Sequence, residues 1–220
     1  AGIEPQHIRV AYNGADLSGF ANTVRSEARE TIASAMGIDT PFILYTARLE
    51  HPGKNHVRLL EALAQLKQRG RLSHKLVLAG SRWNGSEEND NCIAQLGLSD
   101  DVIITGFVDA QLLPPLYAAA DLFVFPSLFE GFGIPLLEAM AAGTPVCAAN
   151  VSSIPEVVGD AALLFDPRDP DDIARQLIRL LQDSALRQQL VARGRQRAQQ
   201  FSWDDAASGV LQQCYEAVAA

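Results

Sequence analysis

Apolar residues fall in short unbroken runs along the chain, and each run is followed by a stretch in which they recur every three or four positions. The runs occupy residues 42–47, 75–79, 102–105, 122–125, 145–148 and 162–165. Successive apolar positions, without the polar alternation of a half-wet sheet, predict strands covered on both faces, as in a parallel sheet. Between them, residues 55–69 place Val57, Leu59, Leu60, Leu63 and Leu66 largely on one stripe. Residues 87–96, 110–119, 135–142 and 171–181 carry further helical patterns. This alternation predicts an α/β fold, a Rossmann-like doubly wound parallel sheet of about six strands. Ligands of such sheets gather beyond the carboxyl ends of the strands. The loops to inspect are therefore 48–54, 80–86, 105–109, 126–134 and 149–153.

The two ends depart from this repeat. Residues 8–12 read as a short strand before a turn at Asn13 and Gly14, and a helix is expected over residues 22–36, stopped by Gly37. A last helix follows Trp203. The weakest point for a domain boundary is the segment before Pro41. With 48% hydrophobic and 20% charged residues in 220, the chain has the make-up of a globular protein. Its net charge of −8 argues against binding nucleic acid or an anionic membrane by bulk charge. A phosphate-bearing ligand would need a local site. Cys92, Cys147 and Cys214 are spaced for neither a disulfide framework nor a zinc site, which fits a reducing compartment. No stretch has the pattern of a signal peptide or a membrane span.

One loop carries most of the chemistry. Residues 126–134 follow a strand and open a helix, with Pro135 suited to the first helical position. No Ser, Thr, Asp or Asn stands beside that start, so its first N–H groups lack an obvious side-chain acceptor. Gly131 and Gly133 let the backbone approach a ligand. An uncapped helix start behind two glycines suits an anion. Glu130 and Glu138 bracket the turn. Glu138 lies among Leu136, Leu137, Ala139 and Met140, where a carboxylate needs hydrogen-bond donors. Sugar and ribose hydroxyls would serve; so would a nearby backbone N–H.

The Glu130-x7-Glu138 pair around Gly131, Phe132 and Gly133 resembles the signature of GT4-type retaining glycosyltransferases of the GT-B fold. Phe125-Pro126-Ser127 before it, the segment from Glu138 to Val146 after it, Tyr12-Asn13-Gly14-Ala15-Asp16 and Phe201-Ser202-Trp203 extend the resemblance over nearly the whole chain. The resemblance implies the C-terminal, donor-binding half of such an enzyme. Glu138 would then meet the ribose hydroxyls and Glu130 the donor sugar. The N–H groups of Gly131, Phe132 and Gly133 would face the diphosphate. Arg48 and Lys54, just past a strand end, match the family's phosphate-holding cations, although Arg48 is also placed to pair with Glu50. Gly80, Ser81, Phe107 and Val108 are candidates for the base and sugar pockets. The implied reaction moves a hexosyl group from a nucleotide-diphosphate sugar, with GDP-mannose ahead of UDP sugars, to a saccharide or lipid-linked acceptor. Arg48, Lys54 and the helix start would stabilise the departing diphosphate without a metal or other cofactor.

The family also implies an organisation. Residues 1–20 would be a linker and the tail of an N-terminal acceptor domain. Residues 21–202 would form the nucleotide-sugar domain, and residues 203–220 a helix crossing back. Alone, such a half would bind donor but transfer sugar poorly. Its expected location is cytoplasmic, with any peripheral contact at the inner membrane face made through the other half. An epimerase acting on nucleotide sugars, or a non-catalytic nucleotide-binding module, would share the fold. Other signals carry less. Gly131-Phe132-Gly133 is not a dinucleotide fingerprint, because the third glycine would fall at Leu136. Asp169-Pro170-Asp171 spells a metal motif but reads as a helix cap. The four histidines form no metal set. Arg187, Arg193, Arg195 and Arg197 read as a solvated basic cluster between helices.

Overall fold

The computed structural model describes Glu4, Ile8 and residues 10–219. Six strands form one all-parallel sheet: β1 (Phe42–Thr46), β2 (Lys75–Ala79), β3 (Val102–Gly106), β4 (Leu122–Phe125), β5 (Val146–Ala149) and β6 (Ala162–Phe165). Their order is β3-β2-β1-β4-β5-β6. Phe42 of β1 pairs with Lys75 on one side, and Ile43 pairs with Leu122 on the other. Every residue of β4 and β5 is buried. That explains why the apolar runs do not alternate, since both faces of these strands are covered by helices.

The covering helices are α1 (Ser18–Ala21), α2 (Arg25–Met36), α3 (His56–Gln68), α4 (Ser86–Gln95), α5 (Leu113–Ala119), α6 (Ile134–Ala141), α7 (Ile154–Val158), α8 (Pro170–Gln182), α9 (Ser184–Ala198) and α10 (Trp203–Ala219). A 3-10 turn, Ala110–Leu112, precedes α5. Helix α3 packs on α4 and α8, whereas α2 packs on α5, α5 on α6, and α6 on α9. Two helix layers thus enclose the sheet. Of the stripe expected of it, helix α3 buries Leu59, Leu60, Leu63 and Leu66, while Val57 is half-buried. Gly37 closes α2 in the left-handed conformation, with its N–H on the Ala33 carbonyl. Asp169 accepts a hydrogen bond from the Asp171 N–H and caps α8, which makes that aspartate pair a helix start.

Several expectations need correction. Residues 10–12 are not a strand, and Arg9 lies outside the described residues, as does His7. The helix expected over residues 22–36 begins only at Arg25. The four arginines lie on α9, not between helices, and three of them are tied to backbone. Arg187 donates to the Leu180 and Leu181 carbonyls, Arg197 to those of Glu156 and Val157, and Arg193 to that of Asp160. Helix α7 has no counterpart in the sequence reading. No helix among the described residues is long and apolar enough to cross a membrane.

Segments distant in sequence meet at one edge. The Ala15 N–H donates to the Phe201 carbonyl at 2.9 Å. Gly14 lies so close to the start of α10 that a Cβ there would come within 2.4 Å of the Trp203 nitrogen.

Candidate active site

The strand order reverses direction between β1 and β4, and a doubly wound sheet opens its ligand crevice at that point. The loops leaving these two strands are 47–54 and 126–133. They are joined where the Leu128 N–H meets the Gly53 carbonyl at 3.0 Å. Across the same place Lys54 Nζ reaches Glu130 Oε1 at 2.7 Å, with the two side chains only 20% and 15% exposed. Asn55 stabilises the junction from behind. Its side-chain amide donates to the Pro126 and Pro167 carbonyls at 2.9 and 2.8 Å, while its own backbone is left-handed (φ 59°). Tyr45, buried in β1, donates to the Lys54 carbonyl at 2.8 Å and contacts Ser127 Oγ at 3.1 Å.

Arg48 stands apart from this pair. Its guanidinium is 3.2 Å from Glu50 Oε2 and 4.9 Å from the centre of the Trp83 ring, and its side chain is 54% exposed. The pairing with Glu50 weighed in the sequence is therefore present. The loop is zipped to the one after β2, since the Leu49 N–H bonds the Ser81 carbonyl and the Trp83 N–H bonds the Leu49 carbonyl. Gly80 allows that approach: a Cβ there would lie 2.0 Å from the Ala47 oxygen. Beyond β3, at the sheet edge, Phe107 projects into solvent while Val108 packs into the core and offers a ligand only its backbone.

The glycine loop is held from below. Ser152 Oγ donates to the Glu130 carbonyl at 2.7 Å, and Ser153 Oγ to those of Glu130 and Phe132 at 3.1 and 3.2 Å. The Phe132 ring packs against Phe201 and Tyr12, and the Tyr12 hydroxyl donates to Glu156 at 2.5 Å. The Glu130 N–H turns back to Ser152 Oγ at 3.4 Å, so the donors the loop has to offer are the N–H groups of Gly131, Phe132 and Gly133. Gly131 has open space where a Cβ would be. Helix α6 starts at Ile134, with Pro135 second rather than first, behind a left-handed Gly133 (φ 105°) and with no side-chain cap. Pro135 has no N–H and the Leu136 N–H bonds the Gly133 carbonyl at 3.0 Å, so the Ile134 N–H is the donor left without a side-chain cap at the positive end of this helix, four residues after Glu130.

Glu138 finds a donor within the protein. The Tyr117 hydroxyl, from α5, donates to Glu138 Oε2 at 2.7 Å and lies 2.6 Å from Thr46 Oγ1 at the end of β1. Burial raises the Glu138 carboxyl above its usual range, and the Tyr117 bond offsets only part of that rise. Sequence reasoning missed Tyr117, Ser152, Ser153 and Asn55. Tyr117 did carry a signal, a phenol among Leu116, Ala118 and Ala119 whose buried hydroxyl requires a partner.

A model of the family described as "Glycosyl transferases group 1" matches residues 28–197. The chain is 44% identical over 169 residues to the Escherichia coli O-antigen chain mannosyltransferase B, covering 74% of this chain and 43% of that protein. It is 36% identical over 230 residues to a D-inositol 3-phosphate glycosyltransferase of Salinispora arenicola, covering 99% and 51%. Among solved structures, sucrose-phosphate synthase of Thermosynechococcus elongatus superimposes with a TM-score of 0.82 at 30% identity, over 96% of this chain and 53% of that one. Anabaena HepE in complex with UDP and glucose also gives 0.82, at 26% identity over 94% and 57%. The sheet is that of glycosyltransferases of the GT-B fold. The chain spans about half the length of these relatives.

Proposed function

Because this chain belongs to the group 1 glycosyl transferases, we propose that it is the donor-binding half of a transferase that takes a hexosyl group from a nucleotide-diphosphate sugar and retains its anomeric configuration. The observation that carries this reading is the Lys54–Glu130 pair at the switch point, beside the uncapped start of α6. An ammonium, backbone N–H groups and a helix end converge there, as a departing diphosphate requires. Glu130 adds an acceptor for a sugar hydroxyl on the same spot, and Glu138 lies one turn into the helix for the ribose. Arg48 is exposed enough to swing from Glu50 towards phosphate. The charge comes from the protein, so no metal is invoked.

Names among the relatives favour mannose as the sugar, which places GDP-mannose first; UDP sugars follow, since HepE was solved with UDP and glucose. The acceptor is a saccharide or a lipid-linked saccharide, bound chiefly by another half of the enzyme, so this chain alone transfers poorly. Melting the chain with UDP, GDP, ADP and their sugars in EDTA tests the reading. A ligand at about 100 times its dissociation constant adds roughly 2.7 kcal/mol. For a chain of this size that raises Tm by about 5–10 °C. The expected shift is selective for one base and is lost in Lys54→Ala. No shift with any nucleotide, or a shift kept in Lys54→Ala, overturns the assignment.

A further inference from the structure

Resting on the reading that Glu138 receives the ribose hydroxyls, we propose that Tyr117 and Thr46 are its positioning residues, a hydroxyl relay that fixes one carboxylate oxygen inside the protein and presents the other to the ligand. The three groups come from three elements, the end of β1, α5 and α6, and the contacts are 2.6 and 2.7 Å. A phenol has one proton, and that of Tyr117 points at Glu138 Oε2. The short contact to Thr46 is then a bond that Thr46 donates. Both hydroxyls can donate towards the carboxylate, the order that its ionised form requires.

This direction matters for the ligand. A ribose diol brings two donors, and an ionised carboxylate can accept both, whereas a protonated one carries a competing donor. Burial works against the ionised form, and among the described residues no cation pairs with Glu138 to offset it; Tyr117 is the group that does. The phenol itself is buried, with its ring against Phe20 and Phe123, so it cannot swing to water instead. Thr46 is the neighbour that keeps the phenol turned towards Glu138.

The test uses Tyr117→Phe, which keeps the ring packing, and Thr46→Val, which perturbs the relay from its other end. The carboxyl carbon of Glu138 is followed by NMR in protein labelled at glutamate, with Glu138→Gln identifying the signal. The same proteins are titrated with UDP and GDP by calorimetry from acid to neutral pH. A charge-assisted hydroxyl bond is worth enough to move the Glu138 midpoint up by about one pH unit in Tyr117→Phe, with a smaller rise in Thr46→Val. Nucleotide binding should weaken about tenfold at the acidic end, and Tyr117→Phe should add little to Glu138→Gln. An unmoved midpoint overturns the relay whatever the nucleotides do. A midpoint that moves while Tyr117→Phe binds nucleotide like the parent overturns the positioning role. A moved midpoint in a parent chain that binds neither nucleotide leaves the relay standing and overturns the donor-site reading.

Discussion

Lys54 and Glu130 lie 2.7 Å apart, so a diphosphate arriving at this spot must share the ammonium with a carboxylate. Glu130 therefore opposes the nucleotide while serving the sugar. Replacing it with Gln removes a negative charge from the phosphate's path. Calorimetry should show Glu130→Gln binding plain UDP or GDP severalfold more tightly, with the gain from the attached sugar lost. Weaker binding of the plain nucleotide would mean that Glu130 instead holds Lys54 in place. His56 makes a different kind of statement. It begins α3 fully buried, with its ring 4.9 Å from that of Tyr45 and its Nδ1 without a hydrogen-bond partner. Burial holds its pKa down at about 4, against the ordinary 6.5. Between these values the unfolded chain takes a proton that the folded chain refuses, so acidification favours unfolding. The difference amounts to roughly 3 kcal/mol, present above pH 6.5 and lost as pH falls towards 4. Glu138, with its raised pKa, acts with the opposite sign as pH falls. Denaturant unfolding should show a decline between pH 6.5 and 4 that is flatter in His56→Phe. An equal decline in that variant would assign the loss to other groups. The sequence could flag Glu138 as a carboxylate in need of a donor, but not which donor, because Tyr117 lies 21 residues away on another helix.

At the scale of elements, what the sequence reveals depends on how an element buries itself. The inner strands were legible because both faces are covered, which writes an unbroken apolar run, and the half-buried edge strands β3 and β6 keep the same pattern. Helix α9 was not, because only Leu190, Gly194 and Ala198 of it are buried, a narrow stripe of mainly small residues within a charged segment. Helix α7 is five residues long, too short for a period to show. The glycine loop was legible as a likeness and as an uncapped helix start, but the serines that hold it come from the loop after β5. Asn55 belongs to the same class. Its amide bridges the loops after β4 and β6, and the left-handed backbone it adopts is one that asparagine tolerates. Asn55→Ala strands two buried carbonyls and adds backbone strain. A loss of about 2–4 kcal/mol is expected, read from denaturant midpoints, together with weaker nucleotide binding through a loosened Lys54 loop. A variant as stable as the parent would show that water replaces the amide.

Over the whole molecule, the alternation of run and helix was enough to announce a doubly wound sheet, whereas the meeting of particular loops had to wait for the strand order. Residues 48–54 and 126–134 are flagged by the same rule as three other loops; only β1 lying beside β4 makes this pair a crevice. The clasp of Gly14 on Trp203, with Ala15 bonded to Phe201, has a consequence of its own. The backbone enters and leaves this body side by side, so a segment cut outside Tyr12 and Trp203 has its two ends together. Spliced into a surface turn of an unrelated host, such a unit stretches neither junction.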